Sequence, residues 1–154
     1  MPGSADELRN QFDGWCPAVQ DILGAVRDPV YRWALYDRDP LARWSTATTT
    51  LLGDACHPML PFFAQGAAQA IGDAAALSQA LLASPNDLAS SLKMYEYARL
   101  AHTAQIQRLS WGNNVAYHLP DGPEQRQRDA FLSASSGTDA LSWLYGNDPF
   151  AIPG

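Results

Sequence analysis

The sequence predicts a mainly α-helical chain with a few short strands, which is an α+β class. An apolar stripe at helical spacing over about 87–110 and an alanine-rich segment from Gly66 to about Leu82 predict two long helices. Two short runs, 30–36 and 45–52, are rich in aromatic or β-branched residues, which favour extended backbone. With 154 residues and 47% hydrophobic content, the chain is long enough to bury a core.

Two short helices and a strand are expected at the start of the chain. Ser4 or Asp6 can cap a first helix that ends near residue 12, because both side chains accept hydrogen bonds from free N–H groups. Apolar residues at helical spacing predict a second helix over 16–26. The aromatic-rich run 30–36 is then expected to form a strand.

The sequence of the central part of the chain predicts a strand followed by two helices. The run 45–52 holds four threonines and two leucines, so a second strand is expected there. The alanine-rich helix follows from Gly66, and the segment 84–87 ends it and caps the next helix. That longest helix is expected to run from about Asp87 to residue 110 or 112. Its predicted apolar stripe consists of Leu88, Leu92, Tyr95, Ile106 and Leu109.

The C-terminal part predicts two shorter helices. The segment 120–123 contains two prolines and a glycine and is a strong turn signal. Helices are expected over 124–132 and 138–144, joined by a serine-rich connection.

Composition excludes several classes of function. The net charge is −6 and the basic side chains are almost all scattered arginines, so a nucleic acid partner is not expected. Cys16 and Cys56 lack metal-ligand spacing, so neither a zinc site nor a disulfide framework is expected and a reducing cytoplasm fits best. The first residues lack a signal-peptide pattern and no run of about 18 apolar residues occurs, so no membrane association is expected.

The most informative stretch lies between the second predicted strand and the alanine-rich helix. An apolar run ends at Gly53 and Asp54, a proline-containing loop follows, and Gly66, Ala67 and Ala68 open the helix. This order places a carboxylate and a helix N-terminus on one side of a cleft.

From Gly53 to Gly66 the motif reads Gly-Asp-Ala-Cys-His-x-x-x-Pro-x-x-x-x-Gly. It resembles the second flavin-contacting motif of FAD-dependent aromatic-ring hydroxylases, the group that contains salicylate hydroxylase and 6-hydroxynicotinate monooxygenase. The family has alanine where this chain has Cys56. The resemblance extends to the segments 36–44, 95–99, 117–119 and 121–122.

The resemblance implies a C-terminal fragment of the α/β FAD/NAD(P)-binding monooxygenase fold. Such enzymes begin with a Gly-x-Gly-x-x-Gly fingerprint that receives the FAD pyrophosphate, and none of the 11 glycines here has that spacing. Three regions are expected: 1–44 as the end of the substrate-binding domain, 45–84 as the strand, flavin motif and helix, and 85–154 as the C-terminal helical region.

The resemblance also assigns flavin-contacting residues. Asp54 is implied to hydrogen-bond a hydroxyl of the FAD ribityl chain or ribose, and the alternative is that it only caps a turn. Backbone N–H groups at Gly66, Ala67 and Ala68 are implied to face the pyrimidine edge of the flavin ring, where a helix N-terminus stabilises negative charge. Pro61 is implied to lie beside the flavin where oxygen adds.

Other side chains of the motif carry weaker expectations. Met59, Phe62 and Phe63 are candidates for the wall of an aromatic-substrate pocket, and they are equally good candidates for plain core residues. His57 is expected to be a structural hydrogen-bonding residue rather than a general base, and Cys56 a small buried side chain. No catalytic residue and no metal ligand is assigned.

Two hypotheses follow for function. In the first, the chain is the flavin-contacting portion of an enzyme that hydroxylates an aromatic substrate with FAD, NAD(P)H and O2, and it is inactive alone because it lacks a pyrophosphate site. Its partners are then the aromatic substrate, NAD(P)H and the missing FAD-binding half. In the second, the chain is a truncated, non-catalytic helical module that self-associates or completes a split flavoenzyme.

Overall fold

The computed structural model describes residues 1–134 and 141–150, and helices dominate them as the sequence predicts. The chain divides into two compact units, Met1–Leu35 and Tyr36–Gly154. Within the described residues, no helix combines the length and apolar character that a membrane crossing requires.

The first unit is a pair of short helices beside a minimal sheet. Ser4 caps the first helix and forms a capping box with Glu7, as the sequence predicts. Only the first two residues of the run 30–36 form a strand, because the strand they pair with is itself two residues long. The elements are β1 (Pro2–Gly3), α1 (Ala5–Gln11), α2 (Pro17–Gly24) and β2 (Val30–Tyr31), with β1 and β2 antiparallel.

The second unit is organised by two long helices that pack against each other. Asp87 caps the longest helix by accepting from the N–H of Ser90 (3.0 Å). That helix continues past Gly112 to Tyr117, beyond the predicted end, and Asn113 contacts a neighbouring loop there. The helices are α3 (Gly66–Ala83), α4 (Leu88–Tyr117), α5 (Pro123–Ala134) and α6 (Ser142–Tyr145). The start of the predicted helix 138–144 lies outside the described residues.

The core of this unit lies between α3, α4 and the preceding segment. Ala76 and Ala80 of α3 are fully buried, and their small side chains let the two helices approach closely. Trp44 covers them, with its ring 5.7 Å from the ring of Tyr95 and 5.6 Å from that of His57. The predicted stripe of α4 is only partly correct. Leu92, Tyr95 and Ile106 are buried, whereas Leu88 and Leu109 are exposed.

The predicted strand over 45–52 is wrong. Ser45 and Thr50 form a single antiparallel bridge, and the N–H of Thr46 donates to the carbonyl of Thr49 (2.8 Å). The hydroxyl of Thr46 also accepts from the N–H of Thr49 (3.1 Å), which closes a tight turn. The β-branched residues therefore fold back on themselves, because the described part of the chain offers no further strand for them to pair with.

Candidate functional site

Gly53 determines how the chain enters the site. Its φ is +62°, in the left-handed region, and a Cβ there would lie 3.2 Å from the Cβ of Ala70 on α3. The carbonyl of Gly53 accepts from the N–H groups of Cys56 (2.9 Å) and His57 (3.0 Å), closing a 3-10 turn over Gly53–Ala55. Asp54 therefore lies in a tight turn rather than at the end of a strand, and its side chain is exposed.

The carboxylate of Asp54 lies beside the first turn of α3. A Cβ added to Gly66 would lie 3.9 Å from Oδ1 of Asp54. In the described part of the chain, the N–H groups of Gly66, Ala67 and Ala68 have no protein acceptor, and the Gln65 side chain does not cap them. The structure thus brings an exposed acceptor next to three free donors at the positive end of a helix.

Residues 58–65, here called the proline loop, connect the first turn to α3. Pro61 begins a second 3-10 turn, Pro61–Phe63, and is exposed. The N–H of Ala64 donates to the carbonyl of Pro61 (3.0 Å), and Ala64 itself has a φ of +53°, which is unusual for a residue with a side chain. The loop therefore presents Pro61 on the surface directly before the open helix end.

The three candidates for a substrate wall are half-buried. The ring of Phe62 packs edge-on against Tyr117 (6.4 Å) and His118 (5.4 Å) at the end of α4. Met59 lies near the start of α3, with its Cγ 3.8 Å from the position of a Cβ on Gly66. Phe62 thus anchors the loop to α4, whereas Met59 lies closer to the open helix end.

Met59 also lines a cavity of about 450 Å³ in this unit. Arg38 lines the cavity, and its guanidinium donates to the carbonyl of Ala55. The other lining residues are Asp37, Asp39, Pro40, Pro58, Gln107, Arg108 and Trp111.

His57 belongs to a buried ionic cluster beneath the turn. Its Nε2 lies 2.5 Å from Oδ2 of Asp73, which also accepts from the N–H of Gly53 (3.0 Å), and both side chains are fully buried. Burial opposes the charge on His57, but the contacts with Asp73 and the Cys56 sulfur outweigh it and raise the pKa of His57 to about 9. His57 is thus a buried hydrogen-bonding residue beneath the turn, in line with the structural role that the sequence indicates, and its raised pKa favours the charged form at neutral pH.

Arg99 of α4 completes this cluster. Its Nε donates to Oδ1 of Asp73 (2.9 Å), and its Nη2 donates to Oε1 of Gln69 (2.7 Å). Burial opposes ionisation of Asp73, but the hydrogen bonds from His57 and Arg99 prevail and lower the pKa of Asp73. Asp73 and Arg99, for which the sequence predicts no role, tie α3, α4 and the Gly53 turn together.

The cluster also contains side-chain atoms of the types that coordinate metal ions. One ligand atom each of Cys56, His57 and Asp73 lies within 4.8 Å of the others. The oxygens of Asp73 are already engaged by Arg99 and Gly53, and the Cys56 thiol donates to the carbonyl of Gly53 (3.2 Å). An internal ionic network therefore explains why these three side chains lie close together.

Comparison with known proteins identifies the family. Residues 31–110, about half of the chain, match the family described as FAD binding domain. The chain is 41% identical over 145 residues to 3-amino-4-hydroxybenzoate 2-monooxygenase PtnB3 of Streptomyces platensis, covering 94% of this chain and 36% of that protein. It is 37% identical over 154 residues to 6-hydroxynicotinate 3-monooxygenase of Bordetella bronchiseptica, covering 99% of this chain and 35% of that protein. The chain thus spans about a third of the length of these relatives.

Solved structures agree with the sequence comparison. A salicylate hydroxylase substrate complex matches with a TM-score of 0.79 and 26% identity, covering 100% of this chain and 39% of that one. A variant of Klebsiella pneumoniae HpxO complexed with FAD matches with a TM-score of 0.78 and 25% identity, covering 98% of this chain and 40% of that one. The chain therefore belongs to the FAD binding domain family, and the resemblance to aromatic-ring hydroxylases indicated by its 53–66 motif is confirmed.

Proposed function

We propose that this chain supplies the flavin-contacting carboxylate and helix N-terminus of an FAD-dependent monooxygenase that hydroxylates an aromatic ring using NAD(P)H and O2. The observation that carries the proposal is the position of the exposed Asp54 carboxylate beside the open first turn of α3. The names of the relatives add support, since they act on a hydroxybenzoate or a hydroxynicotinate.

The residues at this site fit a flavin. Asp54 offers an acceptor for a hydroxyl group, and the free N–H groups of Gly66, Ala67 and Ala68 offer donors to the carbonyl edge of the ring. Bound FAD supplies the redox chemistry that activates dioxygen. The chain's own contribution is to orient the ring, and to stabilise negative charge on it through these amides and the positive end of α3.

Two further roles follow from this arrangement. Pro61 lies on the surface next to the helix start and is proposed to border the face of the ring. Met59, Phe62 and Phe63 are proposed to exclude water on the substrate side, since Met59 lies near the helix end and the aromatic rings are half-buried. No residue of the described chain is proposed as an acid or base in the reaction.

Asp54 provides the test of this proposal. We expect that replacing the matching segment of Streptomyces platensis 3-amino-4-hydroxybenzoate 2-monooxygenase with this chain gives a protein that binds FAD. In that chimera, Asp54→Ala is expected to weaken FAD binding at least about tenfold, because a hydrogen bond to a charged group contributes about 1.5–3 kcal/mol. Flavin absorbance per protein after gel filtration measures occupancy, and a substrate titration measures aromatic affinity, which should change less.

Asp121→Ala is the matched control, because Asp121 is an exposed aspartate in a turn at the far end of α4. The control should keep the FAD content of the parent chimera. Equal FAD content in the Asp54 and Asp121 variants would leave Asp54 as a turn residue only. A folded chimera that contains no FAD would contradict the proposal as a whole.

A further inference from the structure

Three polar side chains on α4 hold the proline loop by its carbonyl groups. They are spaced three residues apart along the helix, and they donate to alternate carbonyls of the loop. The pairs are Gln107 with Pro58 (2.9 Å), Ser110 with Leu60, and Asn113 with Phe62 (3.1 Å). We call these three side chains the α4 ladder.

The three-residue spacing of the donors on α4 and the two-residue spacing of the acceptors on the loop fit each other for a geometric reason. Residues three apart on a helix lie on nearly the same face. Alternate residues of extended backbone point their carbonyls to the same side, and Leu60 has extended dihedral angles (φ −62°, ψ 150°). The donors on one face of α4 therefore meet the carbonyls of Pro58 and Leu60, and then that of Phe62 in the 3-10 turn that follows.

The proline loop has little else to hold its backbone. Pro58 and Pro61 have no N–H to donate, and the backbone-to-backbone hydrogen bond within this described segment joins Ala64 to Pro61. Ser110 is fully buried, so the Leu60 carbonyl that it serves would lose its partner without finding ready access to water. The ladder is thus the main polar constraint on the path from His57 to α3.

We propose that Gln107, Ser110 and Asn113 are positioning residues for the flavin site. By fixing the carbonyls of the loop, they set where Pro61 lies relative to the open N–H groups at the start of α3. This inference rests on the proposed function for its link to flavin, but the effect of the ladder on the loop is independent of any ligand.

The test uses the full chain and two substitutions that leave the size of the side chain nearly unchanged. Asn113→Asp replaces an amide donor with a carboxylate that cannot donate to the Phe62 carbonyl, and Ser110→Ala removes the second donor. Asn114→Asp is the control for the first, because Asn114 is half-buried on the same helix and its side chain has no partner in the described residues. Ser78→Ala is the control for the second, since among residues 1–134 and 141–150 its hydroxyl bonds only to the Ala74 carbonyl of its own helix (2.8 Å).

Hydrogen exchange of the loop amides, measured by NMR without flavin, gives the first readout. We expect the amide of Ala64, which donates to the Pro61 carbonyl, to exchange about three to ten times faster in the ladder variants, which is the range for one neutral hydrogen bond. The amides of α3 beyond Gly72 should keep their rates. Equal loop exchange in Asn113→Asp and Asn114→Asp would overturn the inference.

Affinity for lumiflavin, a flavin ring without the dinucleotide, gives the second readout by fluorescence quenching. We expect Asn113→Asp to weaken lumiflavin binding by about three- to tenfold. Its thermal unfolding midpoint should equal that of Asn114→Asp. A merely structural role would lower the midpoint together with the affinity. A wild-type chain that does not bind lumiflavin would overturn the proposed function and the positioning role with it. A wild-type affinity that Asn113→Asp leaves unchanged would overturn the positioning role alone.

Discussion

His57 is the residue whose charge matters most to this fold. It is buried against Asp73, and the pKa of His57 rises from 6.5 to about 9 on folding. A group whose pKa is raised on folding stabilises the protein fully below its unfolded pKa, and this stabilisation is lost as the pH rises through the folded pKa. The pKa of Asp73 is lowered, so its contribution is present above about pH 3.8 and is lost in more acid solution.

We therefore predict that the free energy of unfolding decreases by up to about 3 kcal/mol between pH 6.5 and 9. Urea unfolding followed by circular dichroism at several pH values measures this slope. His57→Gln keeps a donor for Asp73 but does not titrate, so its slope over this interval should be clearly smaller. His118→Gln, at an exposed histidine, should retain the wild-type slope, and a wild-type protein of constant stability over the interval would refute the assignment.

The sequence predicted the positions of some site residues and missed others. Asp54 and Gly66 were expected to lie together because a motif links them, and the structure places them side by side. A structural hydrogen-bonding role for His57 was expected, but its partner Asp73 was not, because nothing local connects residues 16 positions apart. The α4 ladder was missed because its acceptors are backbone carbonyls, which leave no trace in the sequence; the available signal was polar residues at three-residue spacing on a helix.

Among the elements, α3 and α4 are joined by one buried arginine. Arg99 donates to Asp73 and Gln69, and its Nη2 would lie 3.0 Å from a Cβ on Gly72, so the guanidinium lies directly against α3. Removing one partner of a buried ionic cluster is costly because the remaining groups stay buried without compensation.

We predict that Arg99→Ala lowers the free energy of unfolding by about 3 kcal/mol, measured by urea unfolding at pH 7. Arg108→Ala on the same helix is the control, because that side chain is exposed and should change stability by less than about 0.5 kcal/mol. Similar stability of the two variants would show that the cluster around Asp73 does not hold the helices together.

Helices were predicted better than strands, for a physical reason. Helical hydrogen bonds are local, so α1, α2, α3 and the start of α4 follow from capping residues and periodicity. A strand exists only if a neighbour pairs with it. The run 45–52 has the right residues but closes a threonine turn instead, and only two residues of the run 30–36 have a partner.

For the whole chain, exposed aromatic residues suggest association. In the first unit, Tyr31, Trp33 and Leu35 are 60%, 79% and 59% exposed, and the rings of Tyr31 and Trp33 lie 6.5 Å apart. Such clusters on a surface are normally covered by another protein segment. The predicted strand over 45–52 offers no edge for pairing, since that segment forms a turn.

We predict that the purified chain forms dimers or larger species, measured by light scattering after gel filtration across a wide range of concentrations. Replacing Trp33 and Leu35 together by serine should shift the population toward monomer. Tyr97→Ser is the control, because Tyr97 is an isolated exposed aromatic residue on α4 and should leave the association unchanged. A wild-type monomer at every concentration would refute this prediction.

FAD binding by the chain alone tests the central claim most directly. In a titration of the isotope-labelled chain with FAD, followed by ¹H–¹⁵N NMR, we predict weak binding, because no glycine-rich pyrophosphate site accompanies the flavin-contacting motif. The amides of Asp54, Gly66, Ala67 and Ala68 should show the largest shifts, and Asp54→Ala should reduce them. Tight stoichiometric FAD binding would contradict the prediction of weak binding. Chemical-shift changes confined to other parts of the chain would contradict the proposed position of the flavin site.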